Sequence, residues 1–398
     1  MIAHVSKWVL PVSRPPIRDG AVVVRGQEIQ AVGPAREVLS GFKGLICDHA
    51  SGAILPGLVN CHAHLEFSAL AERIPPQERW EEWLETALAA RESLAPAEVE
   101  RGIRQGIKAL RKSGTALVGE VSNTGASLPY LEASPLDYHL FYECLGFNLR
   151  QRLDLGESFP FLAAAAAAGN ISAAAHAPYS VSPELFQAIS RWNGVASLPQ
   201  TVHLGESRAE LDFLAEGNGF FRELLKSRGR WVDDFRAPEV SPVSYLHDLD
   251  FLGPRTLAVH GVWLEEPDYQ LLAQSQTWLV LCPRANRFTG AGVPPVGGLL
   301  QAGVNLALGT DSLAGNWDLN LFGEMRWLHR NFPAPPGDLW LQLGTLNGAR
   351  ALGRDRALGS LEPGKKAAFG FIPLKETADD FWRELYVAGA AGKFRWLN

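Results

Sequence analysis

The sequence predicts an α/β protein: a (β/α)₈ barrel with a small β-sandwich domain that the two ends of the chain build together. Through about 300 central residues, short apolar runs alternate with segments of helical periodicity, which is typical of repeated βα units. The first fifty-odd residues instead show short alternating runs broken by glycine, a pattern that favours a small sheet. Together these patterns predict a large barrel and a smaller all-β companion.

Segments at both ends of the chain have β character. AVVVRGQEIQAVG and GLICDHASGAILPG near the start predict antiparallel strands, and GSLEPGKKAAFGFIPL and ELYVAGAAGKFRWL near the end have a similar pattern. Neither end is long enough to bury a core by itself. We therefore expect residues 1–55 and 356–398 to form one discontinuous domain beside a barrel of residues 56–355.

Eight buried-type strands are predicted within the central region. They lie in the segments AILPGLVNCHAH, GTALVGEVS, YHLFYECLGF, ISAAAHAPYS, QTVHLGES, TLAVHGVWL, WLVLCPRAN and NLALGTDS. Helical periodicity marks intervening segments such as WEEWLETALAARESL, SPELFQAISRWN and LDFLAEGNGFFRELLKSRG. This alternation predicts parallel strands with helical connections.

Charge and cysteine content exclude several classes of protein. The net charge of −6 and the pI near 6.0 argue against a polyanionic nucleic acid as partner. The four cysteines are isolated and include no CxxC pair, which suits a reducing cytoplasm. The start lacks a signal-peptide pattern, and no apolar run is long enough to cross a bilayer. We expect a cytoplasmic protein that acts on a small molecule, away from membranes.

Histidines cluster at the predicted strand ends, where a barrel of this type carries its active site. Five of the ten histidines in the chain lie at these ends. They are His62 and His64 after the first strand, His176 after the fourth, His203 after the fifth and His260 after the sixth; Asp311 follows the eighth. Such a concentration at one rim indicates shared chemistry.

The alternation in His62-Ala63-His64 predicts a metal site. Residues i and i+2 of a strand point to the same side, so both imidazoles can converge on one ion. His203 supplies a third nitrogen and Asp311 an oxygen, which leaves a position for water. This donor set suits catalytic Zn²⁺, and Fe²⁺ also fits it. Taken alone, the HxH motif would equally describe two solvated or core histidines.

Several motifs carry a specific resemblance. PGLVNCHAHLEFS, HAPYSVSP, HLGES, VHGVWL, CPRANRFTG and LGTDS together resemble the amidohydrolase superfamily, in its branch of aminohydrolases and chlorohydrolases related to cytosine and adenosine-type deaminases. The resemblance covers essentially the whole chain. It implies His62, His64, His203 and Asp311 as ligands of one divalent ion, because the fourth strand ends in HAPYS and lacks the lysine typical of two-metal members.

The resemblance also implies a proton shuttle. In the HxxE pattern of HLGES, Glu206 would carry protons to a ring nitrogen and to departing ammonia. Water on the ion, with its pKa lowered towards about 7, would attack the ring carbon. Asp311 would take the proton of this water and His260 would polarise it. A structural alternative for Glu206 is a helix N-terminal carboxylate stabilised by backbone amides.

Five residues are predicted to contact the substrate. Glu66 lies two residues past His64 and His176 belongs to HAPYS; Arg150 follows the third strand, Arg287 the seventh, and Trp83 lies in RWEEWL. The arginines could instead be surface residues, and Trp83 could simply pack its helix.

The predicted reaction is hydrolytic removal of an exocyclic amine from a purine-like or nucleoside-type heterocycle, with release of ammonia. The HLE and HAPYS segments resemble those of family members that deaminate adenine-bearing metabolites, such as aminodeoxyfutalosine or S-adenosylhomocysteine. One alternative keeps the metal and expels chloride, and another is a non-catalytic relative. The other zinc-deaminase design is excluded because it needs P-C-x-x-C. Related barrels often form dimers, so a homodimer is a further expectation.

Overall fold

The computed structural model describes residues 1–151, 153–165, 169–375 and 380–397. The strands are β1 (Ile2–Val9), β2 (Ile17–Arg25), β3 (Glu28–Pro34), β4 (Leu45–Asp48), β5 (Gly52–Pro56), β6 (Leu58–Ala63), β7 (Thr115–Ser122), β8 (Asp137–Cys144), β9 (Ile171–Ala175), β10 (Gln200–Leu204), β11 (Thr256–His260), β12 (Trp278–Leu281), β13 (Asn305–Leu308), β14 (Phe369–Pro373) and β15 (Arg395–Trp396).

Helices fill most of the intervals between the strands. They are α1 (Ala35–Val38), α2 (Trp80–Glu92), α3 (Pro96–Lys112), α4 (Leu128–Glu132), α5 (Leu155–Ser158), α6 (Pro160–Ala165), α7 (Pro183–Val195), α8 (Arg208–Glu216), α9 (Phe220–Ser227), α10 (Pro242–Asp248), α11 (Glu266–Gln274), α12 (Pro283–Thr289), α13 (Val296–Gln301), α14 (Leu321–Asn331), α15 (Asp338–Gln342), α16 (Gly348–Ala351) and α17 (Phe381–Ala390). A 3₁₀ turn covers Leu65–Leu70 and a π-helical turn covers Leu343–Asn347.

Within the described residues, eight parallel strands form the predicted barrel. β6 to β9 pair in order, as do β10 to β13. The two groups meet at both seams, where the backbone N–H of His203 donates to the carbonyl of His176 at 2.9 Å and that of Thr310 donates to the carbonyl of His62 at 3.1 Å. The prediction of the fold class is confirmed.

Close packing at the seam between β6 and β13 requires a small residue. A Cβ at Gly309 would lie 2.8 Å from the Cβ of His62 and 2.9 Å from the Sγ of Cys282, closer than side chains normally approach. Glycine at this position lets the two strands approach each other. The seam thereby brings the ends of the first and last barrel strands together.

The terminal segments share one seven-stranded sheet in the order β15-β14-β5-β1-β2-β3, with β4 also on β1. β5 pairs antiparallel with β14, so both ends of the chain contribute to this sheet. The predicted antiparallel arrangement is wrong for β4 and β5, which run parallel to β1. The chain crosses over through α1 after β3 and therefore enters β4 in the direction of β1.

The predicted β character of ELYVAGAAGKFRWL is also wrong for most of its length. Residues 381–390 form α17, and only Arg395–Trp396 pair as a strand. Asp380 caps the helix by accepting from the backbone N–H of Arg383. The buried Leu385, Tyr386 and Gly389 lie at helical spacing, and this face packs on Phe322 of α14.

Among the described residues, the helices include none with the length and apolar character needed to span a membrane.

Candidate active site

The carboxyl ends of the barrel strands bring the predicted metal ligands together. The Nε2 atoms of His62 and His64 are 3.1 Å apart, and those of His64 and His203 are 3.3 Å apart. The Oδ1 of Asp311 lies 3.8 Å from the Nε2 atoms of both His62 and His64. All four side chains are buried.

This donor set fits one tetrahedral divalent ion. Zinc–nitrogen bonds of about 2.0–2.1 Å separate two tetrahedral ligand nitrogens by roughly 3.3 Å. The separations of the His64 Nε2 from those of His62 and His203 agree with that value. Burial and the neighbouring imidazoles hold the pKa of His62 well below its ordinary value, and burial lowers the pKa of His64 to about 3. Both imidazoles are therefore neutral at pH 7, which is the form that binds metals.

Outer hydrogen bonds fix the imidazole orientations. The Nδ1–H of His203 donates to the carbonyl of His176 at 2.8 Å, which leaves its Nε2 lone pair for the metal site. The Nδ1–H of His260 donates to the Oδ1 of Asn286 at 2.8 Å, and its Nε2 then faces the cluster as an acceptor. These bonds set the tautomers of both rings.

Asn60 links the two strands of the seam that carry predicted metal ligands. Its Oδ1 accepts from the backbone N–H groups of His62 at 3.3 Å and Thr310 at 3.2 Å, and its Nδ2 donates to the Thr310 Oγ1 at 2.7 Å. Thr310 directly precedes Asp311, so the side chain of Asn60 links the two halves of the ligand set.

Two of the predicted site residues occupy strained backbone conformations. His260 has φ 79° and Asp311 has φ 58°, in the left-handed region that non-glycine residues seldom adopt. Such conformations persist where the surrounding structure enforces them and are concentrated at functional sites. Here they turn both side chains inward at the ends of β11 and β13.

Glu206 lies beside the ligand cluster. Its Oε1 is 3.7 Å from the Nε2 of His260, and burial raises the pKa of the Glu206 carboxyl. The Oε1 and Oε2 of Glu210 accept from the backbone N–H groups of Gly205 at 3.0 Å and Glu206 at 3.1 Å. Glu210 therefore fixes the turn that presents Glu206, which lies two residues before α8; Ser207, and not Glu206, caps the helix.

An apolar cavity of about 310 Å³ opens above the cluster. One wall is aromatic: the rings of Trp80 and Phe221 are 5.7 Å apart, and Tyr179 stacks on Phe221 at 3.6 Å. The cavity lining includes His64, Trp80, Trp83, Arg91, Glu143, His176, Tyr179, His203, Glu206, Phe221, His260 and Asp311. Its dimensions suit a planar heterocycle with one end at the metal site.

Two of the five predicted substrate contacts line this cavity, namely His176 and Trp83. The Nδ1 of His176 is 2.6 Å from the Ser180 Oγ, and the indole N–H of Trp83 donates to the Ala314 carbonyl at 2.9 Å. Each ring is therefore held in place at the wall.

The other three predicted contacts lie elsewhere. Glu66 is buried against the loop after β7, where its Oε1 accepts from Ser122, Thr124 and the backbone N–H of Ala126. Arg150 lies over Phe147 and Phe235, and Arg287 is exposed on α12. None of the three lines the cavity, so their placement does not support a substrate contact.

Sequence reasoning missed Glu143, a buried cavity residue at the end of β8. Its Oε1 lies 3.4 Å from the Nδ1 of His203, and its Oε2 accepts from the Nδ2 of Asn123 at 2.6 Å. Burial raises the pKa of Glu143, but the imidazoles of His176, His203 and His64 together bring it below its ordinary value. Its position at a strand end is the signal that could have found it.

The chain is similar to known proteins in sequence and in fold. Residues 53–389 match the Amidohydrolase family. The chain is 32% identical over 390 residues to the 5-methylthioadenosine/S-adenosylhomocysteine deaminase of Syntrophobacter fumaroxidans, covering 87% of this chain and 78% of that protein.

Solved structures share the fold at lower identity. The aminofutalosine deaminase of Helicobacter pylori superposes with a TM-score of 0.83 at 21% identity, covering 98% of this chain and 96% of that one. The atrazine chlorohydrolase of Arthrobacter aurescens TC1 complexed with zinc gives a TM-score of 0.78 at 20% identity, covering 99% and 93%. From the extent of the family match and the identity to a curated relative, we conclude that the chain belongs to the amidohydrolase family.

Proposed function

We propose that this protein is a metal-dependent hydrolytic deaminase that replaces the exocyclic amine of a nucleoside-type heterocycle by a carbonyl oxygen and releases ammonia. The observation that carries the proposal is the buried carboxylate of Glu206, 3.7 Å from His260 and beside the ligand cluster, at the floor of an aromatic cavity. The name of the Syntrophobacter relative, a 5-methylthioadenosine/S-adenosylhomocysteine deaminase, supports the same substrate class.

The proposed cofactor is one Zn²⁺ held by His62, His64, His203 and Asp311, with Fe²⁺ as the alternative for the same donors. Three imidazole nitrogens and one carboxylate at compatible separations support this assignment. A divalent ion in this position supplies Lewis-acid activation of water at neutral pH.

Glu206 is proposed to move the protons of the reaction. Addition of water to a C–NH₂ carbon requires a proton on the adjacent ring nitrogen, and departure of ammonia requires a proton on the amine. Asp311 accepts the proton that water loses, and the Nε2 of His260 holds the attacking oxygen in position. The net change is one water consumed and one ammonia released.

Aromatic side chains are proposed to hold the heterocycle. Trp83 and Tyr179 provide apolar surface and His176 provides a polar ring edge, all facing the cavity. Because this wall excludes water, the electrostatic interactions of Glu206 and Asp311 with the reacting atoms are stronger than they would be in solution.

A chlorohydrolase is the second candidate, favoured by the structural likeness to the atrazine chlorohydrolase of Arthrobacter aurescens. Chloride departs without a proton, whereas an amine needs one. The position of Glu206 therefore supports the deaminase over the chlorohydrolase. Measurement of chloride and ammonia from chlorinated and aminated triazines separates the two.

Three further properties are proposals. The pairing of β5 with β14 supports a discontinuous domain of residues 1–55 and 356–398 beside a barrel of residues 56–355. Free thiols at all four cysteines support a cytoplasmic location, and the net charge of −6 supports a small-molecule partner over nucleic acid. A homodimer is proposed from the resemblance to related barrels.

Glu206→Gln tests the proposal. The amide preserves the shape of the side chain and removes its proton transfer, so we expect kcat for ammonia release to fall by about 10²- to 10⁴-fold with metal content unchanged. Glu216→Gln is the matched control, because Glu216 is an exposed glutamate at the end of α8, the helix that follows Glu206; this variant should retain activity. Near-normal turnover by Glu206→Gln would remove this residue from the mechanism.

A further inference from the structure

Glu143 presents an unsatisfied carboxylate oxygen to the cavity. The residue is only 5% exposed, and its Oε1 has no hydrogen-bond partner within the described part of the chain. Its Oε2 accepts from the Nδ2 of Asn123 at 2.6 Å, which fixes the orientation of the carboxylate. A buried acceptor without a donor is costly, so this oxygen is suited to a donor that arrives with a ligand.

The free Oε1 of Glu143 is not needed to orient the imidazole of His203. The Nδ1–H of His203 already donates to the carbonyl of His176 at 2.8 Å, and the Glu143 Oε1 lies farther away at 3.4 Å. One atom each of Glu143, His176 and His203 lie within 4.8 Å of one another. Because His203 also belongs to the proposed metal site, a second ion here would have only Glu143 and His176 as dedicated ligands.

The chemistry of the proposed substrate identifies the missing donor. In an adenine nucleoside the ring nitrogens accept hydrogen bonds, and the exocyclic amine must face the metal site where it is lost. The hydroxyl groups of the sugar are then the donors that remain. A charged carboxylate accepts strong hydrogen bonds from hydroxyl groups.

Glu66 cannot serve this purpose, although it is also acidic and close to His64. Its Oε1 accepts from Ser122, Thr124 and Ala126, its Oε2 lies 3.9 Å from Arg91, and the side chain does not line the cavity. Of the two carboxylates, Glu143 is the one with a free acceptor facing the ligand space.

We infer that Glu143 accepts hydrogen bonds from the sugar hydroxyls of the substrate and makes the enzyme selective for ribonucleosides over deoxyribonucleosides. The inference rests on the proposed function, since it takes a nucleoside as substrate. Glu143 is thus a specificity residue on the third barrel strand, and His176 lies beside it in the cavity wall.

Paired kinetics with three substrates test this assignment. Ammonia release from adenosine, 2′-deoxyadenosine and 3′-deoxyadenosine is measured for the wild type, Glu143→Gln and the exposed control Glu223→Gln. We expect kcat/KM of Glu143→Gln for adenosine to fall by about 10- to 100-fold, because a charge-assisted hydrogen bond is lost. Its kcat/KM for the deoxy substrate that lacks the bonded hydroxyl should fall by less than about 3-fold. Calorimetric binding of purine riboside and its deoxy forms provides a readout that needs no turnover.

The outcomes are distinguishable. An equal loss for all three substrates, or a second metal ion per chain that Glu143→Gln removes, would overturn the assignment while leaving the deaminase standing. If purine riboside binds selectively in a way that depends on Glu143, but no nucleoside releases ammonia, the proposed deaminase function is contradicted and the role of Glu143 in sugar recognition is supported. If the wild type binds riboside and deoxyriboside equally or binds neither, the assignment is wrong. Unchanged thermal midpoint and metal content of Glu143→Gln exclude a merely structural effect.

Discussion

Asn60→Ala should weaken both the fold and the metal site, although Asn60 is not a ligand. The side chain is fully buried in β6 and makes three hydrogen bonds: one within β6 to the backbone N–H of His62, and two across the seam to Thr310, which follows β13. A net contribution of about 1 kcal/mol for each bond gives a loss of about 3 kcal/mol in the free energy of unfolding. That is a large fraction of the stability of a typical domain.

Metal affinity should fall by a separate route. His62 and Asp311 lie on opposite sides of the seam and are 3.8 Å apart at their facing atoms. Without Asn60 the segment of Thr310 and Asp311 is less firmly held against His62. Loss of such an outer contact typically lowers metal affinity by about 10- to 100-fold.

The assay is urea denaturation of the metal-free protein together with competitive zinc titration of the folded protein. Asn305→Ala is the matched control, because Asn305 is an asparagine at the opposite end of β13 with one exposed hydrogen bond to Gln276. The control should change the free energy of unfolding by less than about 0.5 kcal/mol. If Asn60→Ala behaved like Asn305→Ala in both measurements, the argument that the seam positions the ligands would be refuted.

Two further predictions concern the same seam. Asp311→Asn removes the anionic ligand, so zinc titration should show weaker binding and ammonia release should fall by at least about 100-fold; full activity would contradict the assignment of Asp311. Gly309→Ala places a Cβ 2.8 Å from that of His62, so thermal unfolding should show a loss of about 1–3 kcal/mol. Gly297→Ala, where a Cβ meets nothing within 4 Å, is its control, and equal behaviour of the two glycine variants would contradict the packing argument.

The barrel and the ligand cluster could be predicted because both depend on short-range rules. Apolar runs of strand length fix where each strand ends, and parallel barrel strands end at one face. Once the strand ends were identified, five residues at these ends were therefore expected to lie close together: His62, His64, His203, His260 and Asp311. The structure places these residues and Glu206 close together, and their roles in metal binding and catalysis stay predictions.

Substrate contacts could not be predicted by the same rules, because they depend on the turns, loops and helices that connect the strands. Alternation from His64 would turn Glu66 inward, but a 3₁₀ turn begins at Leu65 and ends the alternation. Arg150 lies six residues beyond the end of β8, and Arg287 lies within α12 on its solvent side. The conformations of these connections depend on tertiary packing.

Glu143 illustrates the opposite case, in which a usable signal was present. It lies one residue before the end of β8, the same kind of position that identified the histidines. The segment YECLGF contains no recurring motif, and the substrate contact was predicted at Arg150, farther along the chain. Applying the strand-end rule to every polar residue would have included Glu143.

Ammonia release by the purified, metal-analysed protein tests the central claim most directly. The panel comprises adenine nucleosides, including 5′-methylthioadenosine and S-adenosylhomocysteine, with guanine, pterins and triazines as other heterocycles. The account predicts about one divalent ion per chain and stoichiometric ammonia from at least one adenine nucleoside, lost on chelation and restored by zinc. A protein that holds the metal but releases no ammonia from any member of the panel would contradict the deaminase.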